Sequence, residues 1–121
     1  MQSLIMLSLV VALAASFANG EVAYMNGNRL LEMCESGNSG DKGFCAGYVA
    51  ATMDASNTFT KSMPVEKKMP LKPIYCVPQD GIEIAQAVRV TVKWLRDHPE
   101  KLHIEGDILV WLSLMESFPC K

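Results

Sequence analysis

WLSLMESFPCK (residues 111–121) places a cysteine directly after a proline, one residue from the end of the chain. A terminal half-turn frays unless something ties it down, so Cys120 calls for a covalent partner. The residues before it sharpen the point. ILVWLSLMESF (108–118) is apolar nearly all round a helical wheel, with Ser113, Glu116 and Ser117 on one narrow polar strip. A helix of that kind is central to its fold or shared with a partner.

The other cysteines are Cys34, Cys45 and Cys76. No two of the four form a C-x-x-C pair, and the only imidazoles, His98 and His103, lie among loop residues, so no metal site is expected. An even number in a small exported domain reads as a disulfide framework.

Helical patterns precede both ends of that framework. In the first helix Asn26 or Asn28 caps, Leu30, Leu31 and Cys34 recur at helical spacing, and Gly37 stops it. A second runs through FCAGYVAATMDASN (44–57), with Asp41 as N-cap; its Gly43, Gly47 and Ala51 make a stripe of small residues suited to close helix packing. A third starts after CVPQDG and ends before Pro99, with Ile84, Val88, Val92 and Leu95 on one stripe and Val90 and Trp94 on another. Between the second and third, Thr60–Tyr75 carries Pro64, Pro70 and Pro73 together with four lysines and reads as a loop. If consecutive helices pack antiparallel, Cys34 meets Cys45 and Cys76 meets Cys120, each bond closing one αα-hairpin. The fold expected is all-α: a small disulfide-stapled bundle of about four helices, two αα-hairpins.

MQSLIMLSLVVALAASFANG (1–20) has no charged side chain. Its apolar run, Leu4–Ala15, is short for a bilayer and is followed by small residues suited to a signal peptidase. It reads as a signal peptide cleaved near residues 18–20, leaving a single exported domain, residues 21–121. The 13 acidic and 11 basic residues give a net charge of −2 and no basic stripe for nucleic acid. No later segment is apolar for long enough to cross a membrane.

Catalysis finds no footing. Paired cysteines leave no thiolate, and two loop histidines suggest no Ser–His–acid arrangement. Glu32/Glu35 and Asp80/Glu83 are i, i+3 pairs of the kind solvated helix faces carry, and the eight methionines are scattered. The chain is expected to be no enzyme and to need no cofactor.

Taken in order, the blocks GNRLLEMCES, FCAGYVAATMDA, YCVPQDGIEIAQAVRVTVKWLRDHPEKL and LVWLSLMESFPC resemble the Rap/Tai immunity proteins. These are periplasmic antidotes to peptidoglycan amidase toxins delivered by type VI secretion. The resemblance implies a helical, disulfide-bonded, generally dimeric protein that covers the toxin's Cys–His cleft. A different reading is a small periplasmic helical chaperone of the acid-resistance type, which would bind many clients on acidification rather than one toxin at neutral pH.

A protein that plugs a cleft needs something protruding. The connection RDHPEKLHIEGD (96–107) is the candidate, with His98, Glu100, Lys101, His103 and Glu105 as toxin contacts; Thr60–Tyr75 is its rival. Val90, Trp94, Trp111 and Met115 offer apolar surface for a two-fold homodimer.

Overall fold

The computed structural model describes residues 25–62 and 72–121. The signal-peptide reading and the central part of the Lys/Pro-rich loop fall outside the described residues. The described residues form four α-helices: α1 (Gly27–Glu35), α2 (Ser39–Ser62), α3 (Ile84–Asp97) and α4 (Gly106–Ser117), with a 3₁₀ turn at Pro99–Lys101 between the last two. Cys34–Cys45 and Cys76–Cys120 are the disulfides, so each hairpin is closed as its spacing predicts. Their sequence separations of 11 and 44 residues correspond to roughly 3 and 4 kcal/mol in the chain-entropy model.

Capping fixes where α1 begins. Asn26 is in extended conformation and its side-chain oxygen accepts the N–H of Arg29 at 3.0 Å. The helix ends at Ser36, whose hydroxyl starts a compact polar turn into α2. That hydroxyl donates to Asp41 (2.8 Å) and accepts from the Asn38 N–H (3.0 Å), while the Asn38 side chain accepts from Gly40 and Asp41 (2.7 and 3.2 Å). Asn38 therefore does the capping expected of Asp41, which sits inside the first turn where a negative charge suits the helix dipole.

α2 buries Cys45, Val49, Thr52 and Ser56 along one seam. Its hydroxyls are satisfied locally: Thr52 donates to the Tyr48 carbonyl (2.8 Å), and Ser56 bonds both the Met53 carbonyl (2.8 Å) and the Tyr75 hydroxyl (2.9 Å). The helix runs five residues past the expected Asn57, taking Thr60–Ser62 from the predicted loop. The small-residue stripe does not serve close packing. Gly43, Gly47 and Ala51 are exposed, and a side chain built on either glycine would meet nothing within 4 Å.

The second hairpin also turns differently from the hydropathy pattern. α3 buries Ala87, Thr91, Trp94 and Leu95, whereas Ile84 is exposed and Val88 and Val92 are half-buried. The reason lies across the interface. Thr91 faces Ser113 of α4, their hydroxyls 3.2 Å apart, and Ser113 also donates to the Val110 carbonyl at 2.7 Å. Small, internally paired hydroxyls allow the helices to sit close, so Ser113 belongs to the core rather than to the polar strip of α4. Leu30, Leu95, Leu109, Val110 and Leu114 complete the centre, each fully buried.

The hairpins are sewn together where α1 and α4 begin. Gly27 donates to the Ile104 carbonyl (3.0 Å), Asn28 to Leu102 (3.0 Å), and Gly106 to Met25 (2.8 Å), forming an isolated antiparallel bridge between Asn26 and Glu105. The Asn28 side chain adds a second bond to Leu102 at 3.1 Å. Close approach requires glycine here. A Cβ on Gly27 would lie 2.4 Å from Leu109 Cδ1 and 2.9 Å from the Leu102 backbone; one on Gly106 would lie 3.0 Å from the Tyr48 hydroxyl. At the other end the Cys76 N–H donates to the Phe118 carbonyl at 2.8 Å, beside the Cys76–Cys120 bond.

The glycines thus divide sharply. Gly27→Ala should cost about 1–3 kcal/mol of stability through overpacking against fixed backbone. Gly47→Ala, in an open helical position, should gain about 0.5–1 kcal/mol. Urea denaturation of the two variants beside the parent checks both signs.

Candidate interaction surface

The connection between α3 and α4 is short because the 3₁₀ turn compresses it. His98 ends α3, its N–H donating to Leu95 at 3.3 Å, and Lys101 and Ile104 donate back to His98 and Lys101, each at 3.0 Å. Pro99 enters the turn at its first position, where a missing N–H costs nothing. The far half is held by the carbonyls of Leu102 and Ile104, which accept from α1.

The five expected contact residues separate into two sets. His98 and Lys101 turn inward onto Trp94. The imidazole stacks on the indole with ring centroids 4.0 Å apart and planes 17° apart, and Lys101 Nζ lies 5.7 Å from the ring centroid. His98 Nδ1 is 2.7 Å from the Trp94 carbonyl, which has no proton to give, so Nδ1 is the donor. Glu100, His103 and Glu105 are exposed. They are the freely presented side chains of the set, and Glu105 does its structural work through its backbone.

The apolar residues assigned to self-association also divide. Trp94 is only 5 % exposed, and its indole N–H donates to Glu116 at 2.8 Å. Its surface is covered within the chain. Val90 and Trp111 are half-buried, the latter with its indole N–H 3.4 Å from the Thr52 carbonyl, while Met115 is 39 % exposed. Ile108, one helical turn before Trp111, is 40 % exposed and was not singled out in the sequence. Phe44 stands out from α2 with Tyr48 stacked beneath it, centroids 6.1 Å apart. Burial, followed by the negative charge of Asp107, pushes the Tyr48 hydroxyl's pKa up.

Two concavities flank α3. A groove of about 680 Å³ runs between it and the end of α1, with Cys34, Val88 and Val92 as apolar lining and Arg89 on its edge. Arg96 crosses it to Glu35 at 2.8 Å. A notch of about 260 Å³ opens toward α4, lined by Val90, Trp94, His98 and Glu116. Lys93 and Asp97, an ion pair on one helix face, border both. Among the described residues no three His, Cys, Asp or Glu side chains come together as a metal site, and no helix is long and apolar enough to cross a membrane.

Sequence reasoning missed the contacts that organise this surface: Trp94 with Glu116, Glu35 with Arg96, and Asn28 with Leu102. Each joins residues far apart in the chain, and nothing local announces them.

Residues 26–120, which span all four helices and both disulfides, match the family model of the Rap1a immunity proteins. A search of curated proteins finds no match.

The Glu35–Arg96 pair makes a pH prediction. The hydrogen bond and charge of Arg96 hold the Glu35 carboxyl below its ordinary range. A carboxyl lowered by folding stabilises above its unfolded pKa, and that contribution is lost as pH falls through the folded value. Glu35→Gln should therefore lower the urea midpoint slightly at pH 7 and leave it nearly unchanged once the carboxyls are protonated. The effect should shrink in high salt, because both side chains are substantially exposed.

Proposed function

The chain belongs to the Rap1a immunity protein family, and from that membership we propose that it binds and occludes a peptidoglycan amidase delivered by type VI secretion, acting in the periplasm to protect the wall of its own cell or kin. The observation that carries this reading is the family match over residues 26–120. Two disulfides in so small a domain support an oxidising compartment. The work is binding rather than chemistry: a surface complementary to the toxin's cleft excludes its substrate.

The α3–α4 connection is the element we assign to that cleft. It is already ordered at both ends, so little conformational entropy remains to be lost on docking. Glu100, His103 and Glu105 supply polar contacts, while His98 and Lys101 act from beneath. Self-association belongs to the same proposal, supported by the α4 stripe Ile108, Trp111 and Met115, with Val90 beside the notch. Light scattering at micromolar concentration should give twice the single-chain mass; a one-chain mass removes the dimer.

The decisive experiment pairs the mature chain with the secreted amidase encoded nearest its gene. Cells exporting both should survive, and the purified proteins should form a complex at neutral pH. Replacing Glu100, His103 and Glu105 together by Ala should weaken binding at least about tenfold, roughly 1.4 kcal/mol. The melting temperature should barely move, since exposed side chains seldom support a core. Full protection by the triple variant would take the connection out of the interface.

A further inference from the structure

Trp94 is the most enclosed aromatic of the second hairpin and belongs to the apolar core, yet three polar side chains from three separate elements also lie against it. His98, at the end of its own helix, stacks on it at 4.0 Å. Lys101, from the 3₁₀ turn, lies over the ring at 5.7 Å. Glu116, from α4, accepts the indole N–H at 2.8 Å. Any buried indole N–H needs an acceptor, which Glu116 supplies; the stacked imidazole and the ammonium over the ring go beyond that need.

The arrangement divides the connection into two fixed ends. The first, His98–Lys101, closes over the indole. The second, Leu102–Gly106, is tied by main-chain bonds to Met25, Gly27 and Asn28. Glu100 sits within the first end, so the direction in which it projects is set by how firmly the turn rests on Trp94, whereas His103 lies between the Leu102 and Ile104 carbonyls that α1 holds.

We infer that Trp94 is the positioning residue of the recognition surface: its ring face holds His98 and Lys101, and Glu116 holds the ring, so that the connection exists in its binding form before the toxin arrives. This rests on the reading that the connection meets the toxin. A binding form populated only in part weakens apparent affinity by that fraction, so loss of the anchor acts through the association rate.

Glu116 restrains the indole from turning, and the aromatic face supplies the stacking. A phenyl ring keeps an aromatic face but loses the N–H bond to Glu116 and part of the indole's bulk; a leucine loses the face as well. The two substitutions therefore separate positioning from simple filling of space.

The test is amide hydrogen exchange on the full mature chain, read by mass spectrometry. In Trp94→Leu the segment 98–104 should exchange at least about tenfold faster, while the α2 seam around Val49 changes far less. Trp94→Phe should stay within about threefold of the parent in the same segment. Equal acceleration of the connection and of α2 in Trp94→Leu would reduce Trp94 to ordinary core filling and overturn the inference. So would a phenylalanine variant as loose as the leucine one. Association with the amidase encoded nearest the gene should slow in Trp94→Leu with dissociation little changed. A loosened connection with an unaltered association rate would instead overturn the assignment of the connection to the toxin, while leaving its attachment to Trp94 intact.

Discussion

Two side chains that are not there allow the hairpins of this domain to meet. The disulfides act within each hairpin, but neither joins one hairpin to the other. The main-chain ladder between Met25–Asn28 and Leu102–Gly106 is central to that junction, and it forms because Gly27 and Gly106 let backbone approach backbone. Leu109 fills the space that a Cβ on Gly27 would claim. The ladder borders the core that Leu30, Leu109 and Val110 share, so that core adjoins a distance that only glycine permits.

The centre that results is less uniformly apolar than the composition suggests. Thr52, Ser56, Thr91 and Ser113 are buried, and each hydroxyl has a partner. Among the described residues no buried side-chain polar atom lacks a hydrogen bond. Paired hydroxyls of this kind add little net stability, but an alternative packing that separated Thr91 from Ser113 would take from the Thr91 hydroxyl the partner it has here. The Thr91–Ser113 contact therefore disfavours other rotations of α3 against α4.

Much of the fold was legible because covalent and steric signals are local. Cysteine spacing, the prolines and the all-round apolar α4 pointed to two closed hairpins, and the bonds Cys34–Cys45 and Cys76–Cys120 have that arrangement. Side-chain direction was harder to read. Hydropathy placed Ile84 inside and Ser113 outside, and both are reversed, because Ala87 and Thr91 are small enough to face the close contact with α4. The stripe Gly43, Gly47 and Ala51 looked like packing and is open surface, since glycine spacing cannot say which side of a helix its neighbours occupy. In the connection, residue type marked all five candidates alike. Only the tertiary position of Trp94 separates His98 and Lys101 from Glu100, His103 and Glu105.

The stitch between α1 and the connection is made of carbonyl oxygens and amide hydrogens, which every residue except proline offers in the same form. Its hold on the connection is thus indifferent to what Glu100, His103 and Glu105 carry beyond Cβ. Inheritance can redraw the outward-facing chemistry of this short segment without renegotiating the fold beneath it. Substitutions at those three positions change the surface while the scaffold stays where it was.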